Sequence, residues 1–197
     1  MVGRRSGGSR IPGILVLLVL TSISLTGCRE AGLRYNSRAM TLLQQPMPSA
    51  LPIPVDGVVR SQLRNTWHAA RFGGRRHLGI DILAPRSTPI RSVTEGIVEL
   101  KGMRGLGGQI VTITGPGGYR HYYAHLEEYG PQAVGDWVEA GEIIGYVGTS
   151  GNAALSPPHL HYGIYAPSGG AVNPFTYLRE SDPFALREQQ LAQTASK

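Results

Sequence analysis

A chain of 197 residues with 27 glycines and 14 prolines has room for one ordinary domain, and this composition favours short strands joined by many turns. The formal net charge is +6, but no basic run with interleaved aromatic residues occurs, so nucleic-acid binding gains no support. The single cysteine excludes an intramolecular disulfide.

The amino terminus has the pattern of an export signal. Three arginines precede an unbroken apolar run from Ile14 to Leu20, which is too short for a comfortable membrane span. The following stretch Leu25-Thr26-Gly27-Cys28 resembles the bacterial lipobox, whose cysteine is lipidated and becomes the new first residue. We therefore predict a lipoprotein signal peptide over residues 1–27 and a lipid anchor at Cys28. The alternative is that Cys28 is an ordinary buried thiol.

The residues after Cys28 bear on where the protein is held. Arg29 stands where bacteria often place the aspartate that retains lipoproteins at the inner membrane. The resemblance therefore favours an outer-membrane anchor that faces the periplasm. Residues 28–51 are predicted to form a polar tether, because its closely spaced prolines keep a chain extended. Whether a short helix forms over residues 37–45 stays open.

From Pro52 onward the pattern becomes that of a β domain, in which apolar stretches are separated by glycine-rich turns. Strands are predicted at Ile90–Leu100, Gln109–Thr114, Tyr119–Leu126, Glu142–Val147 and Leu160–Tyr165. Short strands without repeats predict an all-β, mainly antiparallel fold over residues 52–179, either a single compact β-sandwich or a partly open barrel. Residues 180–197 are left as a tail, with a surface helix considered for 183–194.

His77 and Asp81 are the first candidate pair for a metal. On a regular strand they would lie about 13 Å apart, too far for one ion. A helix would bring them together, but Gly79 and the β-branched Ile80 and Ile82 argue against a helix here. If both side chains bind one ion, the chain must bend, and Gly79 permits the bend. The alternative is an ordinary hydrogen-bonded pair.

A second group of histidines follows later in the chain. His159 and His161 lie two residues apart, so in a strand they share one face. His125 stands between the two groups, in the stretch Tyr122-Tyr123-Ala124-His125-Leu126. By itself His125 fits a satisfied core histidine better than a functional one, but its setting in Tyr-Ala-His-Leu reverses that preference. His121 would share a strand face with His125 but lie about 13 Å away, which predicts a place along a groove or at the surface.

These three pieces, in this order, resemble the lysostaphin/LytM-type zinc metallopeptidases, which cut peptide bonds in bacterial cell walls. The resemblance covers roughly residues 52–178 and implies a β fold with a substrate groove over the sheet. It also implies zinc ligands at His77, Asp81 and His161, and two non-ligand catalytic histidines at His125 and His159. Which of these two is the general base stays open. His68 departs from the family, whose members often have a small residue there.

The function that the resemblance implies is a lipid-anchored zinc endopeptidase of peptidoglycan stem peptides or cross-links. An outer-membrane anchor favours D-alanyl–diaminopimelate cross-links, and the partners are then the peptidoglycan peptide and, through Cys28, a membrane. Arg71, Arg75 and Arg76 either attract substrate carboxylates or simply face solvent. The alternatives are an inactive family member that regulates a separate amidase, and a purely structural lipoprotein. Inactive homologues lose ligands or catalytic histidines, whereas all five positions are filled here.

Overall fold

A computed structural model describes residues 36–179. The predicted signal peptide, Cys28 and the tail helix considered for 183–194 lie outside this range. The helix left open for 37–45 is present over residues 36–44 (α1). Within residues 36–179, no helix has the length and apolar character that a membrane crossing requires.

The rest of the described chain consists of strands and short 3₁₀ turns. The strands are β1 (Leu51–Pro52), β2 (Ile80–Leu83), β3 (Pro89–Arg91), β4 (Gly96–Arg104), β5 (Gly108–Thr114), β6 (Arg120–Ala124), β7 (Leu126–Tyr129), β8 (Trp137–Val138), β9 (Ile143–Val147), β10 (His159–Tyr165), β11 (Ala171–Val172) and β12 (Leu178–Arg179). The 3₁₀ turns lie at Arg60–Gln62, Phe72–Gly74, Gly105–Gly107, Pro116–Gly118, Gly151–Ala153 and Pro174–Thr176.

Strand pairing confirms the predicted fold class. A seven-stranded sheet has the order β11-β10-β6-β5-β4-β8, with β2 also paired to β10, and a three-stranded sheet has the order β3-β9-β7. Both sheets are antiparallel, and within residues 36–179 only the small β1–β12 pair is parallel. The strand order of the described residues does not close into a barrel.

Two of the predicted strands are each divided in the structure. The segment predicted as 90–100 forms β3 and β4, because a turn over residues 92–95 separates them. The segment predicted as 119–126 forms β6 and β7, which are interrupted at His125. That residue has a φ of 65°, in the left-handed region that a non-glycine residue rarely adopts.

The core lies on one face of β10 and β2, and this alternation positions the site. Leu160 and Tyr162 in β10 and Ile80 and Ile82 in β2 are all fully or almost fully buried. Because successive side chains of a strand point to opposite faces, burial of these residues turns His159, His161 and Asp81 away from the core. Burial of the apolar face of β10 and β2 therefore leaves the polar side chains on the opposite face, where the site forms.

His121 corrects the sequence interpretation, which placed it along a groove or at the surface. It is fully buried, and its Nδ1 lies 2.8 Å from the Tyr162 hydroxyl. Burial lowers the pKa of His121 to about 3, so the side chain is neutral. The prediction failed because it extended one strand through His125, whereas the positive φ there breaks the alternation between His121 and His125.

Candidate active site

The three predicted metal ligands meet at one point. His77 Nε2 lies 2.8 Å from His161 Nδ1, and Asp81 Oδ1 lies 3.1 Å from each of these nitrogens. Ligand atoms around a tetrahedral zinc ion, at its usual bond lengths, are about 3.3 Å apart. Two imidazole nitrogens and one carboxylate oxygen at this spacing therefore fit zinc, both in donor chemistry and in separation.

The chain bends at Gly79, as the sequence predicted, and the structure adds a second reason for a glycine there. A Cβ atom on Gly79 would lie 2.5 Å from the Tyr162 carbonyl oxygen and 2.8 Å from the His161 ring. The close approach of these groups leaves no room for any side chain. Gly79 thus lets the segment that carries His77 lie directly against β10, where His161 is.

Backbone carbonyl groups hold three of the histidine rings in a defined tautomer. His77 Nδ1 donates to the Thr66 carbonyl at 2.9 Å, so its Nε2 faces the other ligands. His125 Nδ1 donates to the Ser150 carbonyl at 2.9 Å, and His159 Nδ1 donates to the Pro157 carbonyl at 2.8 Å. Because a carbonyl oxygen only accepts, each of these rings keeps an unprotonated Nε2 when it is neutral.

Asp81 is held on both of its carboxylate oxygens. Its Oδ1 faces the two ligand histidines, whereas its Oδ2 forms an ion pair with the Arg71 guanidinium. Burial by itself would raise the pKa of Asp81, but the hydrogen bonds and charge interactions with His161 and His77 outweigh it and hold this pKa below its ordinary value. Burial lowers the pKa of His161, partly offset by Asp81. These shifts favour an anionic Asp81 carboxylate beside a neutral His161 imidazole, as metal ligation requires.

His125 and His159 stand beside the ligands as a pair. Their ring centroids are 5.0 Å apart, and the His125 centroid lies 5.9 Å from that of His161. Burial lowers the pKa of His125 to about 4, against an opposing contribution from its hydrogen bond to the Ser150 carbonyl. A histidine that is neutral at neutral pH and has a free Nε2 is suited to accept a proton.

All five predicted site residues line one groove with a volume of about 780 Å³. They come from the segment before β2, from β2 itself, from the break between β6 and β7, and from β10. Their individual roles stay predictions. His68 does not line this groove. It is exposed, has a φ of 59° and stacks on Trp67 with a centroid distance of 4.5 Å.

Sequence reasoning missed several groups in the groove. Tyr122 meets the His161 ring edge-on at a centroid distance of 5.9 Å, and burial together with Tyr165 raises its pKa to about 12, which keeps the hydroxyl protonated. Strand alternation against the buried Tyr123 would have found it. Nothing in the sequence could indicate that the Thr66 and Ser150 carbonyl groups hold histidine rings, because every residue has a carbonyl group.

Comparison with known proteins agrees with this geometry. Residues 75–174 match peptidase family M23. The chain is 37% identical over 152 residues to an L-Ala–D-Glu endopeptidase of Bacillus subtilis, covering 72% of this chain and 46% of the relative. It is 42% identical over 100 residues to a DD-carboxypeptidase/endopeptidase of Neisseria meningitidis, covering 51% of this chain and 22% of the relative. It therefore spans less than half the length of these relatives.

A solved structure extends the similarity to the fold. The catalytic domain of lysostaphin from Staphylococcus simulans superposes with a TM-score of 0.52 at 28% identity. The similarity covers 58% of this chain and 91% of that domain. Almost the whole of a separately crystallised catalytic domain thus has its counterpart here.

The contact at Gly79 yields a prediction with a matched control. Gly79→Ala should lower the free energy of unfolding by about 1–3 kcal/mol, the usual cost of overpacking, and should weaken zinc binding by displacing the His161 ring. Gly170→Ala is the control, because a Cβ there meets nothing within 4 Å. Urea unfolding and zinc titration of both variants measure the effect. Equal stability and zinc affinity in the two variants would contradict the proposed close packing.

Proposed function

The chain belongs to peptidase family M23, and on that premise we propose that it is a zinc-dependent endopeptidase that hydrolyses peptide bonds of peptidoglycan. The observation that carries the proposal is the meeting of five side chains in one groove. Three of them form a zinc-type donor set, and two more histidines lie beside it without joining it.

His77, Asp81 and His161 would hold the metal. When bound, zinc supplies Lewis-acid activation of a water molecule and of the scissile carbonyl group. The carbonyl groups of Thr66, Ser150 and Pro157 keep their histidines from rotating, so the reacting nitrogens stay directed into the groove.

The proton transfers fall to His125 and His159. One of them accepts a proton at Nε2 from the attacking water. The other donates a hydrogen bond to the oxyanion or a proton to the leaving amine. The two rings come from different segments, and their centroids lie 5.0 Å apart.

The alternative of an inactive member that regulates an amidase receives no support. A purely regulatory role places no demand on the ligand triplet or on the two further histidines. In this chain all five are filled, and His77, His125 and His159 are held in the tautomer that chemistry needs.

For the bond, we favour the D-alanyl–diaminopimelate cross-link. The Neisseria relative is named for DD-carboxypeptidase and endopeptidase activity, which fits the thin wall within reach of an outer-membrane anchor. The Bacillus relative is named for the L-Ala–D-Glu bond, and this is the competing choice.

For the location, we propose that residues 1–27 are removed and that a lipid on Cys28 holds the enzyme at the outer membrane, facing the periplasm. The support is the basic start, the apolar run, the lipobox-like Leu25-Thr26-Gly27-Cys28 and the arginine that follows. Several acyl chains on one cysteine anchor a protein stably, whereas one chain anchors it only marginally.

The bond is tested on purified muropeptides. The zinc-loaded protein should convert cross-linked dimers to monomers with D-alanine at the released end, as measured by liquid chromatography and mass spectrometry. An uncross-linked tetrapeptide stem is the control, since it contains the L-Ala–D-Glu bond but no cross-link. Cleavage between L-Ala and D-Glu in this stem and in the dimers, with the cross-link itself left uncut, would favour the competing bond, and cleavage of glycine bridges alone would exclude both.

The separate roles of the ligand and catalytic histidines are tested by measuring the zinc content and the reaction rate of each variant. His161→Ala and Asp81→Ala should lose zinc and activity together, because each removes a ligand. His125→Ala and His159→Ala should keep one zinc per chain and lose about 10²-fold or more in kcat, typical of a lost general base or oxyanion donor. A His125→Ala variant that loses its zinc or keeps a near-normal rate would contradict the assignment.

The anchor is tested by Cys28→Ser. This variant should accumulate as an unprocessed or soluble form, because it has no thiol to receive the lipid. Membrane fractionation and the mass of the mature amino terminus measure it. Arg29→Asp is the companion variant and should move the protein to the inner membrane. Processing and fractionation of Cys28→Ser like the wild type would refute the lipid anchor.

A further inference from the structure

Four arginines line the groove and together form what we call its cationic wall: Arg64, Arg71, Arg75 and Arg76. Among the described residues that line the groove, Asp81 is the one carboxylate. With the histidines neutral, the lining has a net charge of +3, and a bound zinc ion would raise it to +5. A concave surface of one sign focuses its field on whatever enters it.

A small hairpin presents three of these arginines. Its two arms are joined by backbone hydrogen bonds between residues 68 and 77, 69 and 77, and 71 and 75. Gly73 and Gly74 close the turn, with φ values of 75° and 73° that favour glycine. The arm that returns from this turn ends at His77. Three of the four arginines and the first metal ligand are therefore built on one element.

The four guanidinium groups are not equally engaged. Arg71 is paired with Asp81, and Arg76 donates to the His68 carbonyl at 3.3 Å. Arg75 uses its Nε for the Phe72 carbonyl at 3.2 Å, so its two terminal nitrogens stay available. For the Arg64 guanidinium, residues 36–179 provide neither a hydrogen bond nor an ion pair. Arg64 and Arg75 thus have donors to offer a ligand in the groove.

We infer that Arg64 and Arg75 select substrates whose peptide bears a free carboxylate close to the scissile bond. The inference rests on the proposed function, and it names the substrate class of that same groove. A planar guanidinium donates two parallel hydrogen bonds to a carboxylate, which gives direction as well as attraction. Stem peptides that contain glutamate and diaminopimelate bear free carboxylates, whereas a glycine bridge bears none along its length.

The charge distribution also argues against a role for these arginines in folding. Two arginines outside the groove are paired with acids, Arg91 with Asp56 and Arg86 with Glu127. Arg64 and Arg75 have no such partner within residues 36–179, and both are exposed.

The test compares two synthetic stem peptides, one with free carboxylates and one with the same carboxylates converted to amides. Their dissociation constants are measured by calorimetry on the full chain in zinc-containing buffer, with His159→Ala present to prevent turnover. Arg64→Gln and Arg75→Gln should each reduce the preference for the free carboxylate by about fivefold, the upper range for an exposed ion pair. Arg75→Lys should keep part of the preference, because it keeps the charge but loses the planar fork.

Arg104→Gln is the matched control, since it removes the same charge from an exposed arginine outside the groove lining. It should leave the preference unchanged. An equal loss in Arg104→Gln would reduce the effect to bulk charge, and an unchanged preference in both groove variants would overturn the inference. Turnover of the two peptides by the wild-type chain is recorded in parallel. Failure of turnover with intact discrimination in binding would count against the proposed function alone.

Discussion

The structure depends above all on how strand β10 is paired. It lies between β2 and β6, with His161 directly opposite Asp81 on one side and Ala124 on the other. Two ligands of the metal are thus a cross-strand pair, held by the sheet itself. A shift of one residue in this register would turn every side chain of β10 to the opposite face. Burial of Leu160, Tyr162 and Ile164 excludes that shift, because it would expose the apolar residues and bury the histidines.

The rest of the site is attached to this pair by segments that are not strands. His77 approaches the pair of Asp81 and His161 from the end of the hairpin of residues 68–77, and the Thr66 carbonyl holds its ring. His125 reaches the pair at the break between β6 and β7, where a left-handed residue redirects the chain. A non-glycine residue in this conformation has a cost of order 1–3 kcal/mol, and such strain is concentrated at functional sites. The sheet therefore holds two of the ligands rigidly, and the irregular segments orient His77 and His125 toward them.

The electrostatics of the groove follow from the same arrangement. Burial lowers the pKa values of His125 and His161, which favours their neutral forms. The arginines of the same groove stay charged at any relevant pH. The proposed proton acceptors, His125 and His159, and the arginines thus lie on separate elements. The arginines supply the positive charge that attracts a substrate, and the two histidines can stay neutral to accept a proton.

The sequence by itself determined the chemistry and the fold class. Alternation and turn residues predicted an antiparallel β domain, and the resemblance of three ordered pieces to the LytM-type peptidases predicted His77, Asp81 and His161 as metal ligands, a donor set of the type that suits zinc. Tertiary structure decided the rest. Periodicity cannot report a positive φ at His125, so the strand break and the burial of His121 went undetected. Gly79 was recognised as permissive, yet the reason lies in β10, eighty residues away. Contacts between distant segments leave no local pattern, because they depend on which strands pair and in which register.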